Sequence, residues 1–207
     1  MTATAPRDRT ERPPASRGRP RHPDTDRAIL AATFRQLVEV GYGGLSVEAV
    51  AVAAGVAKTT IYRRYPTKRD LVIAALQVEV PMPELSTGGD LRTSLRDAVH
   101  TVVHRMVDSG ALRILGSLLV EANREPELLA MFRERLLEPR RNLVADLLRS
   151  GIERGELRPD LDPLVVTEML AGATIAHHAI LGQALSDEWI DELVDHIWAA
   201  TRAPARD

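Results

Sequence analysis

From residue 24 onward, apolar residues recur at intervals of three and four, and no stretch alternates convincingly between apolar and polar residues. This spacing puts apolar side chains on one face of an α-helix, whereas a half-buried strand would show a period of two. Aromatic residues make up only 3% of the chain, which also argues against a β-rich core. The pattern therefore predicts an all-α fold.

Capping residues and helix breakers divide the N-terminal part of this pattern into four helices. Gly41 ends the first helix, at a position suited to a left-handed residue. Gly55 separates two short helices, and Thr67 begins the fourth helix in a capping box with Asp70. The predicted ranges are about 24–41, 46–54, 58–65 and 67–80.

Five further helices are predicted in the C-terminal part. Asp162 and Pro163 are a suitable N-cap and first residue for one of them. Pro139 lies within another and is expected to kink or break it, because proline lacks an N–H and clashes with the preceding turn. The predicted ranges are about 90–107, 111–123, 127–154, 163–182 and 187–201.

Charge is distributed unevenly along the chain. Residues 1–76 contain 13 basic and 7 acidic residues, whereas residues 77–207 contain 14 and 22. The net charge of −2 therefore combines a basic N-terminal third with an acidic remainder. This asymmetry indicates a polyanion-binding module joined to a module with another role. Residues 1–23 contain six arginines and five prolines, which predicts a flexible basic arm.

Several protein classes are excluded by composition. The 207 residues include no cysteine, so disulfide scaffolds, thiol catalysis and cysteine metal sites are ruled out. No stretch approaches the roughly 20 apolar residues of a membrane span, and the N-terminus lacks the apolar core of a secretory signal. A G-x-S-x-G elbow and a P-loop are also absent. We therefore expect a soluble, cytoplasmic protein that is not an enzyme and needs no cofactor.

The segment 46–68 has the pattern of a helix-turn-helix. Two short helices flank a tight turn, and Ile61 would anchor the second helix to the core. In this motif the second helix enters the DNA major groove with its N-terminal residues nearest the base edges. Small, polar and basic side chains suit that surface, and the exposed ones would be Lys58, Thr59, Thr60, Tyr62 and Arg63.

Two other interpretations of this segment compete with DNA binding. One is an ordinary helical hairpin with a solvated polar face. The other is a nucleotide site, because Lys58-Thr59 resembles the end of a P-loop. A P-loop would need glycines where this chain has Val52 and Ala57, and it would need a preceding strand. The nucleotide interpretation is therefore disfavoured.

The stretch Ala53–Lys68 resembles the DNA-binding signature of the TetR family of bacterial transcriptional regulators. Arg27–Ala32 and Val40–Tyr42, which lead up to it, resemble the same signature. The resemblance covers about residues 24–76 and implies a three-helix helix-turn-helix DNA-binding domain there. Residues 77–207 match in layout only, which implies a variable helical domain for effector binding and dimerisation.

The resemblance implies contacts with double-stranded DNA at the matched positions. The residues that would face the major groove are Thr59, Thr60 and Tyr62. Those that would mainly contact phosphates are Ser46, Tyr62, Tyr65 and Lys68. Lys58 suits either role. Ala57 stands where the family often has Ser or Thr, which removes an N-cap hydroxyl and one phosphate contact. Tyr65 stands where Phe or Trp is more usual, which is a mild change.

A second DNA-binding signal lies in the N-terminal arm. The run Arg17-Gly18-Arg19-Pro20-Arg21 resembles the core of an AT-hook. Glycine and proline keep such a chain narrow, and arginines are attracted to the negative potential of an A·T-rich minor groove. The alternative is a nonspecific basic tail, which adds affinity through counterion release.

The middle helices of the C-terminal part carry many apolar residues, which would suit a pocket for a lipophilic small molecule. The candidate lining residues are Val103, Met106, Leu112, Leu115, Leu119, Met131, Phe132 and His177. The alternative for each of them is an ordinary place in the core.

Two histidines have the spacing of metal ligands. His100 and His104 are four residues apart on one predicted helix, and Asp97 lies on the same face. Such a pair can hold zinc or nickel. Because the sequence offers no evident further ligand, no metal site is predicted.

The last two helices are predicted to form a homodimer interface. Small residues would let another backbone approach the penultimate helix, and an apolar stripe over 190–197 with Trp198 would complete a four-helix seam. The small residues are Ala171, Gly172, Ala173 and Ala176. The alternative is packing within the chain. A two-fold protein also suits two DNA half-sites about 34–36 Å apart.

Together these features favour a dimeric, sequence-specific repressor. It would leave a palindromic operator when a small lipophilic effector binds to the acidic domain. The alternative is a ligand-independent or architectural DNA-binding protein whose C-terminal domain only dimerises.

Overall fold

The computed structural model describes residues 23–82, 84–85 and 90–204. Every element of secondary structure assigned within these residues is a helix. The predicted all-α fold is confirmed. The first four helices are α1 (Pro23–Gly44), α2 (Val47–Ala53), α3 (Lys58–Tyr62) and α4 (Lys68–Glu79). The others are α5 (Leu91–Asp108), α6 (Ala111–Glu121), α7 (Pro126–Phe132), α8 (Glu138–Glu153), α9 (Pro163–Ile175) and α10 (Asp187–Thr201). Two five-residue π turns, Arg133–Leu137 and Ala176–Ile180, follow α7 and α9.

Side-chain caps begin many of these helices where the sequence predicts them. Thr67 and Asp70 form both halves of a capping box at the start of α4. Each such cap typically contributes about 1 kcal/mol to helix stability. At the starts of α2, α5, α9 and α10, a side-chain oxygen accepts one backbone N–H of the first turn. These capping residues are Ser46, Asp90, Asp162 and Ser186.

Two glycines with positive φ shape the N-terminal helices. Gly41 has φ 69° and ψ −179°, which interrupts α1 before its final residues. Gly55 has φ 66° in the turn between α2 and α3. L-amino acids with a Cβ rarely adopt this conformation, so glycine is needed at both turns. The regular part of α1 therefore ends at the position that the sequence predicts.

The second helix of the predicted helix-turn-helix is shorter than expected. It ends at Tyr62 instead of reaching Tyr65. The N–H groups of Arg64 and Tyr65 both bond to the carbonyl of Ile61, which closes the helix in a tight turn. Because Pro66 disfavours helical geometry at the residue before it, Tyr65 cannot continue the helix.

Pro139 does not break the helix that was predicted over 127–154. The π turn Arg133–Leu137 precedes it, and the Glu138 N–H bonds to the Arg133 carbonyl, five residues back. A π turn is wider than an α-helical turn and can absorb a proline, which lacks an N–H and crowds the preceding turn. The helix therefore continues from α7 into α8 instead of stopping.

The helices pack around two apolar cores. The first core is formed by the four helices α1, α2, α3 and α4 together with α6 and α7. Its fully buried members include Leu37, Ile73, Ile114, Leu118 and Leu128. The second joins α5, α8, α9 and α10, and its fully buried members include Leu91, Leu95, Leu148, Ile190 and Val194. The first core thus contains residues from both sides of the boundary predicted between residues 76 and 77.

The apolar stripe of α10 packs within the chain. Ile190, Val194 and Ile197 all belong to the second core, and Trp198 packs against it. This corrects the prediction that the stripe faces a second subunit, because α10 turns it towards the core shared with α5 and α8. A dimer interface on α10 would need its outward face.

The packing of α8 against α5 gives a stability prediction. A Cβ on Gly151 would overlap Leu91 Cδ2 and lie 3.1 Å from two Leu157 atoms, whereas one on Gly116 in α6 would meet nothing. We expect Gly151→Ala to lower the free energy of unfolding by about 1–3 kcal/mol through overpacking. Gly116→Ala should raise it by about 0.5–1 kcal/mol through helix propensity. Urea unfolding of both variants checks this, and equal stability of Gly151→Ala and the unchanged chain would contradict the close contact.

Candidate DNA interface and ligand cavity

The first core holds α2 and α3 by one face each. Val47, Val50 and Ala51 of α2 and Ile61 of α3 are buried, as the sequence predicts. Because α3 has only five residues and Ile61 is 1% exposed, one side chain anchors the whole helix. Most of the rest of its surface faces solvent. Lys58, Thr59, Tyr62 and Arg63 are exposed there, and Thr60 is partly buried.

The starts of α2 and α3 are capped differently. Ser46 Oγ accepts the Ala49 N–H at 3.3 Å, so this hydroxyl holds α2 in place. Ala57 occupies the N-cap position of α3 and offers no side-chain acceptor. The departure from Ser or Thr at this position therefore leaves the start of α3 without a side-chain cap.

Lys58 is held by a carboxylate on the neighbouring helix. Its ammonium group pairs with Glu48 of α2 and lies 5.5 Å from the centre of the Tyr62 ring. The hydrogen bond from Lys58 lowers the pKa of Glu48, and the same bond raises the pKa of Lys58. Glu48 was not among the predicted site residues. A carboxylate within a predicted DNA-facing motif was the available signal, because it opposes phosphate binding.

Tyr65 and Lys68 lie closer to the protein interior than the residues of α3. Tyr65 is half-buried against the first core, and burial raises the pKa of its hydroxyl. Lys68 Nζ lies 4.4 Å from the centre of the Tyr42 ring, and desolvation lowers its pKa. Lys68 is therefore packed on an aromatic ring as well as being at the start of α4.

The predicted minor-groove contacts fall outside the structural description. Arg17, Arg19 and Arg21 precede residue 23, so they lie outside the described residues. Their role stays a prediction.

A polar junction connects the N-terminal helices to α6 and α7. The Tyr42 hydroxyl donates to Glu125 Oε2 at 2.8 Å, and the Tyr42 N–H donates to Ser117 Oγ at 3.3 Å. Arg69 of α4 pairs with Glu127 at 2.6 Å and lies 3.7 Å from Glu125. We call these five residues the Tyr42 junction. It lies beside the first core and ties α1 and α4 to the C-terminal half.

A cavity of about 290 Å³ lies among α5, α6, α8 and α9. This volume is close to the lower end of the range typical of small-molecule sites, roughly 300–1,000 Å³. Its wall is overwhelmingly apolar, and the apolar lining includes Val99, Val102, Val103, Met106, Leu115 and Val144.

The polar groups of the cavity are few and mostly engaged. The Thr167 and Thr174 hydroxyls donate to carbonyls of their own helix, at 2.8 and 2.9 Å. Arg141 pairs with Glu168 at 3.0 Å. Arg140 is partly buried and donates to the Leu136 carbonyl at 2.7 Å, and its burial lowers the pKa of the guanidinium. Arg140 also donates to the carbonyl of Val80, the C-cap of α4.

Three of the predicted pocket residues, Val103, Met106 and Leu115, line this cavity. The other five lie elsewhere. Phe132 belongs to the first core, Met131 packs against it, Leu112 is buried, and Leu119 is exposed. His177 stacks on Trp189 with ring centres 4.1 Å apart. The apolar face of α7 packs into the first core with α1 and α4, so Met131 and Phe132 do not reach the cavity.

The sequence did not indicate the α8 and α9 walls of the cavity. Arg140 and Arg141 were unassigned, although two adjacent arginines on an otherwise amphipathic helix were a visible signal. The α9 wall includes Thr167, Ala171 and Thr174. Of these, only Ala171 has a predicted role, in the dimer interface, because small residues let another backbone approach.

Comparison with known proteins decides the family. Residues 29–75 match the bacterial regulatory proteins of the tetR family, and residues 86–197 match the tetracyclin repressor-like C-terminal domain. The chain belongs to the TetR family. It is therefore a helix-turn-helix, DNA-binding transcriptional regulator, with the DNA-binding motif in its N-terminal part and a helical C-terminal part.

Individual relatives are similar to this chain over most of its length. An uncharacterized HTH-type transcriptional regulator of Bacillus subtilis, YdeS, is 29% identical over 193 residues, which cover 91% of this chain and 96% of YdeS. The DNA-binding transcriptional repressor TetR of Mycobacteroides abscessus is 30% identical, over 82% of this chain and 90% of that protein. The crystal structure of the TetR family regulator SCO0332 has a TM-score of 0.64 at 29% identity and covers 85% of this chain and 97% of that one.

Within residues 23–82, 84–85 and 90–204, no helix combines the length and the apolar character that crossing a bilayer requires.

The pair between Glu48 and Lys58 predicts that Glu48 limits DNA affinity. Glu48→Gln would remove a negative charge from the predicted DNA-facing surface and free Lys58 to bind phosphate. We expect about two- to fivefold tighter DNA binding at low salt, and a smaller gain at high salt because salt screens exposed charges. Fluorescence anisotropy over a salt series measures this. Weaker binding by Glu48→Gln would show that Glu48 positions Lys58 instead of competing for it.

The Tyr42 junction predicts a pH-dependent contribution to stability. Burial, together with the hydrogen bond to Glu125, raises the pKa of Tyr42 well above its ordinary value of 10.0. Tyr42→Phe should lower the free energy of unfolding by about 1–2 kcal/mol below pH 10. Because the folded state favours the neutral hydroxyl, this contribution is present below the unfolded pKa and is lost as pH rises above it. Urea unfolding at about pH 8 and about pH 11 checks the sign; a difference that grows with pH would contradict it.

Proposed function

We propose that this TetR-family regulator is a dimeric repressor that leaves a palindromic operator when a small lipophilic effector enters the cavity. The observation that carries the proposal is the position of Arg140. This side chain lines the cavity and donates to the carbonyl of Val80, which ends α4. Because α4 directly follows the helix-turn-helix, a molecule in the cavity would meet a residue that is bonded to the DNA-binding part.

The chemistry of the cavity supports a lipophilic effector. The threonine hydroxyls are satisfied within α9, so they leave their methyl groups for contact. Arg140 supplies the partly buried positive charge, and an effector with an acidic group would compete with the Val80 carbonyl for it. Coupling of roughly 1–3 kcal/mol would change operator affinity about 5–150-fold, enough for a switch.

The outer surface of α9 supports the homodimer. Val165, Met169 and Ile180 are 50%, 53% and 75% exposed, and a Cβ on Gly172 would meet no atom within 4 Å. Val165, Met169 and Gly172 recur at helical spacing and form one exposed apolar face of α9, and Ile180 ends the π turn that follows. We propose that the same face of a second copy covers it, together with the outward face of α10. A two-fold axis would then place two copies of α3 about 34–36 Å apart on DNA.

The exposed residues of α3 support sequence-specific binding. We propose that Thr59, Thr60 and Tyr62 meet base edges, while Lys58 and Arg63 hold phosphates. In the same proposal residues 1–23 are the basic arm, 24–76 the DNA-binding domain and 77–207 the effector-binding and dimerisation domain. The name of the Mycobacteroides abscessus relative, a repressor, supports the direction of regulation.

Selection of binding sites from a random duplex pool tests the operator. The full chain should enrich a palindrome whose half-sites are about 10 base pairs apart, centre to centre. Enrichment of A·T-rich DNA without two-fold symmetry would favour the architectural alternative, in which the arm dominates binding.

Release by an effector is tested on the selected operator with two fluorescent probes, anilinonaphthalene sulfonate and the uncharged N-phenylnaphthylamine. Both probes should become brighter on binding, and both should reduce operator affinity. The anionic probe should reduce operator affinity more, because its sulfonate can bind Arg140. Met106→Trp should fill the cavity and abolish both effects. The matched control is Val107→Trp, which adds the same ring at an exposed α5 position outside the cavity lining. Probe binding with unchanged operator affinity would refute effector-driven release.

A further inference from the structure

Two histidines of α5 and two aspartates of α10 meet on the surface between these helices. His104 Nε2 lies 2.9 Å from Asp187 Oδ1, and His100 Nδ1 lies 3.5 Å from the same oxygen. His100 Nε2 lies 2.9 Å from Asp191 Oδ1. The carboxylates come from the first turns of α10, far along the chain from the histidines. They supply the further ligand that the sequence alone did not reveal.

The spacing of the donor atoms suits a transition-metal ion. One ligand atom each from His100, His104 and Asp187 lies within 4.8 Å of the others. A zinc ion about 2.0–2.1 Å from each donor would hold neighbouring donors roughly 3.3–3.5 Å apart. The two contacts of Asp187, at 2.9 and 3.5 Å, bracket that value.

The second nitrogen of His100 has the partner expected for a metal ligand. A histidine that binds metal through one ring nitrogen usually donates the other N–H to a carboxylate, which fixes the ring orientation. Asp191 takes that place opposite His100 Nε2. Asp191 is itself held by Arg96 Nε at 3.0 Å. His100 Nδ1 is thereby directed towards Asp187 and His104.

We infer that α5 and α10 form a binding site for a divalent transition-metal ion of the zinc class, with His100 Nδ1, His104 Nε2 and an Asp187 carboxylate oxygen as ligands. Two imidazoles and one carboxylate favour such an ion over Mg²⁺ or Ca²⁺, which prefer all-oxygen sites. The side chains of His100, His104 and Asp187 are 23%, 48% and 68% exposed, so an ion reaches them from solvent. Water would complete the coordination.

A bound ion would fasten the first turn of α10 to α5. Four residues of α5, Val99, Val102, Val103 and Met106, line the cavity on another face of that helix. The ion would therefore stabilise one wall of the cavity without entering it. The inference rests only on the geometry of α5 and α10, and holds whether or not an effector controls DNA binding.

Calorimetric titration of the full chain with zinc chloride, after chelator treatment and transfer to metal-free buffer, tests the site. We expect one ion per chain with a dissociation constant of about 1 μM or tighter, a raised Tm, and no comparable response to Mg²⁺. His104→Gln and Asp187→Asn should each weaken zinc binding by about tenfold or more. Circular dichroism of each variant without metal shows whether it is folded.

Two matched controls separate this site from other surface ligands. His178→Gln removes a histidine of the π turn after α9, and Asp97→Asn removes an α5 carboxylate near His100 in sequence. Both should bind zinc as the unchanged chain does. If zinc does not bind, the four residues form only an ion-pair network and the proposal is overturned. If His104→Gln or Asp187→Asn binds zinc unchanged, the ion is held elsewhere and the proposal is equally overturned.

Discussion

The packing of α1 against both α4 and α6 is the constraint on which the rest of the structure depends. One core contains Leu37 of α1, Ile73 of α4 and Ile114 of α6, so the N-terminal helices have no complete core of their own. Close-packed interiors transmit displacement instead of absorbing it. The Tyr42 junction adds fixed polar contacts at the edge of this core. A shift of α6 would therefore act on α1 and α4, which share this core with it.

Helix α6 faces both the core and the cavity. Ile114 and Leu118 lie in the first core, while the neighbouring Leu115 lines the cavity. Arg140 makes a second connection, from the cavity wall to the end of α4. The two connections reach the N-terminal helices by different routes, one through apolar packing and the other through a charged hydrogen bond. The cavity is thus linked to both α1 and α4, which flank the helix-turn-helix in the chain.

Local features were predictable from the sequence, and long-range ones were not. Thr67, Gly41 and Gly55 act through their own backbone, so their positions alone indicated helix bounds and the helix-turn-helix. The cavity was placed on the correct helix α5, but Phe132 was misplaced because periodicity cannot tell which neighbour an apolar face meets. Asp187 was missed for the same reason: its nearness to His104 is created by the packing of α10 on α5.

The shared first core also limits how this regulator can be re-engineered. A chimera that joins residues 24–76 to the C-terminal half of another regulator would keep α3. It would lose the residues of α6 and α7 that complete the first core. Leu118 and Leu128, which pack with α1 and α4 in this core, would be replaced by the corresponding residues of the other regulator. Grafting only the exposed residues of α3, which are proposed to determine DNA specificity, would leave the first core of the new sensor intact. In this regulator the part that can be exchanged independently is the exposed surface of α3, because the N-terminal helices share their core with α6 and α7.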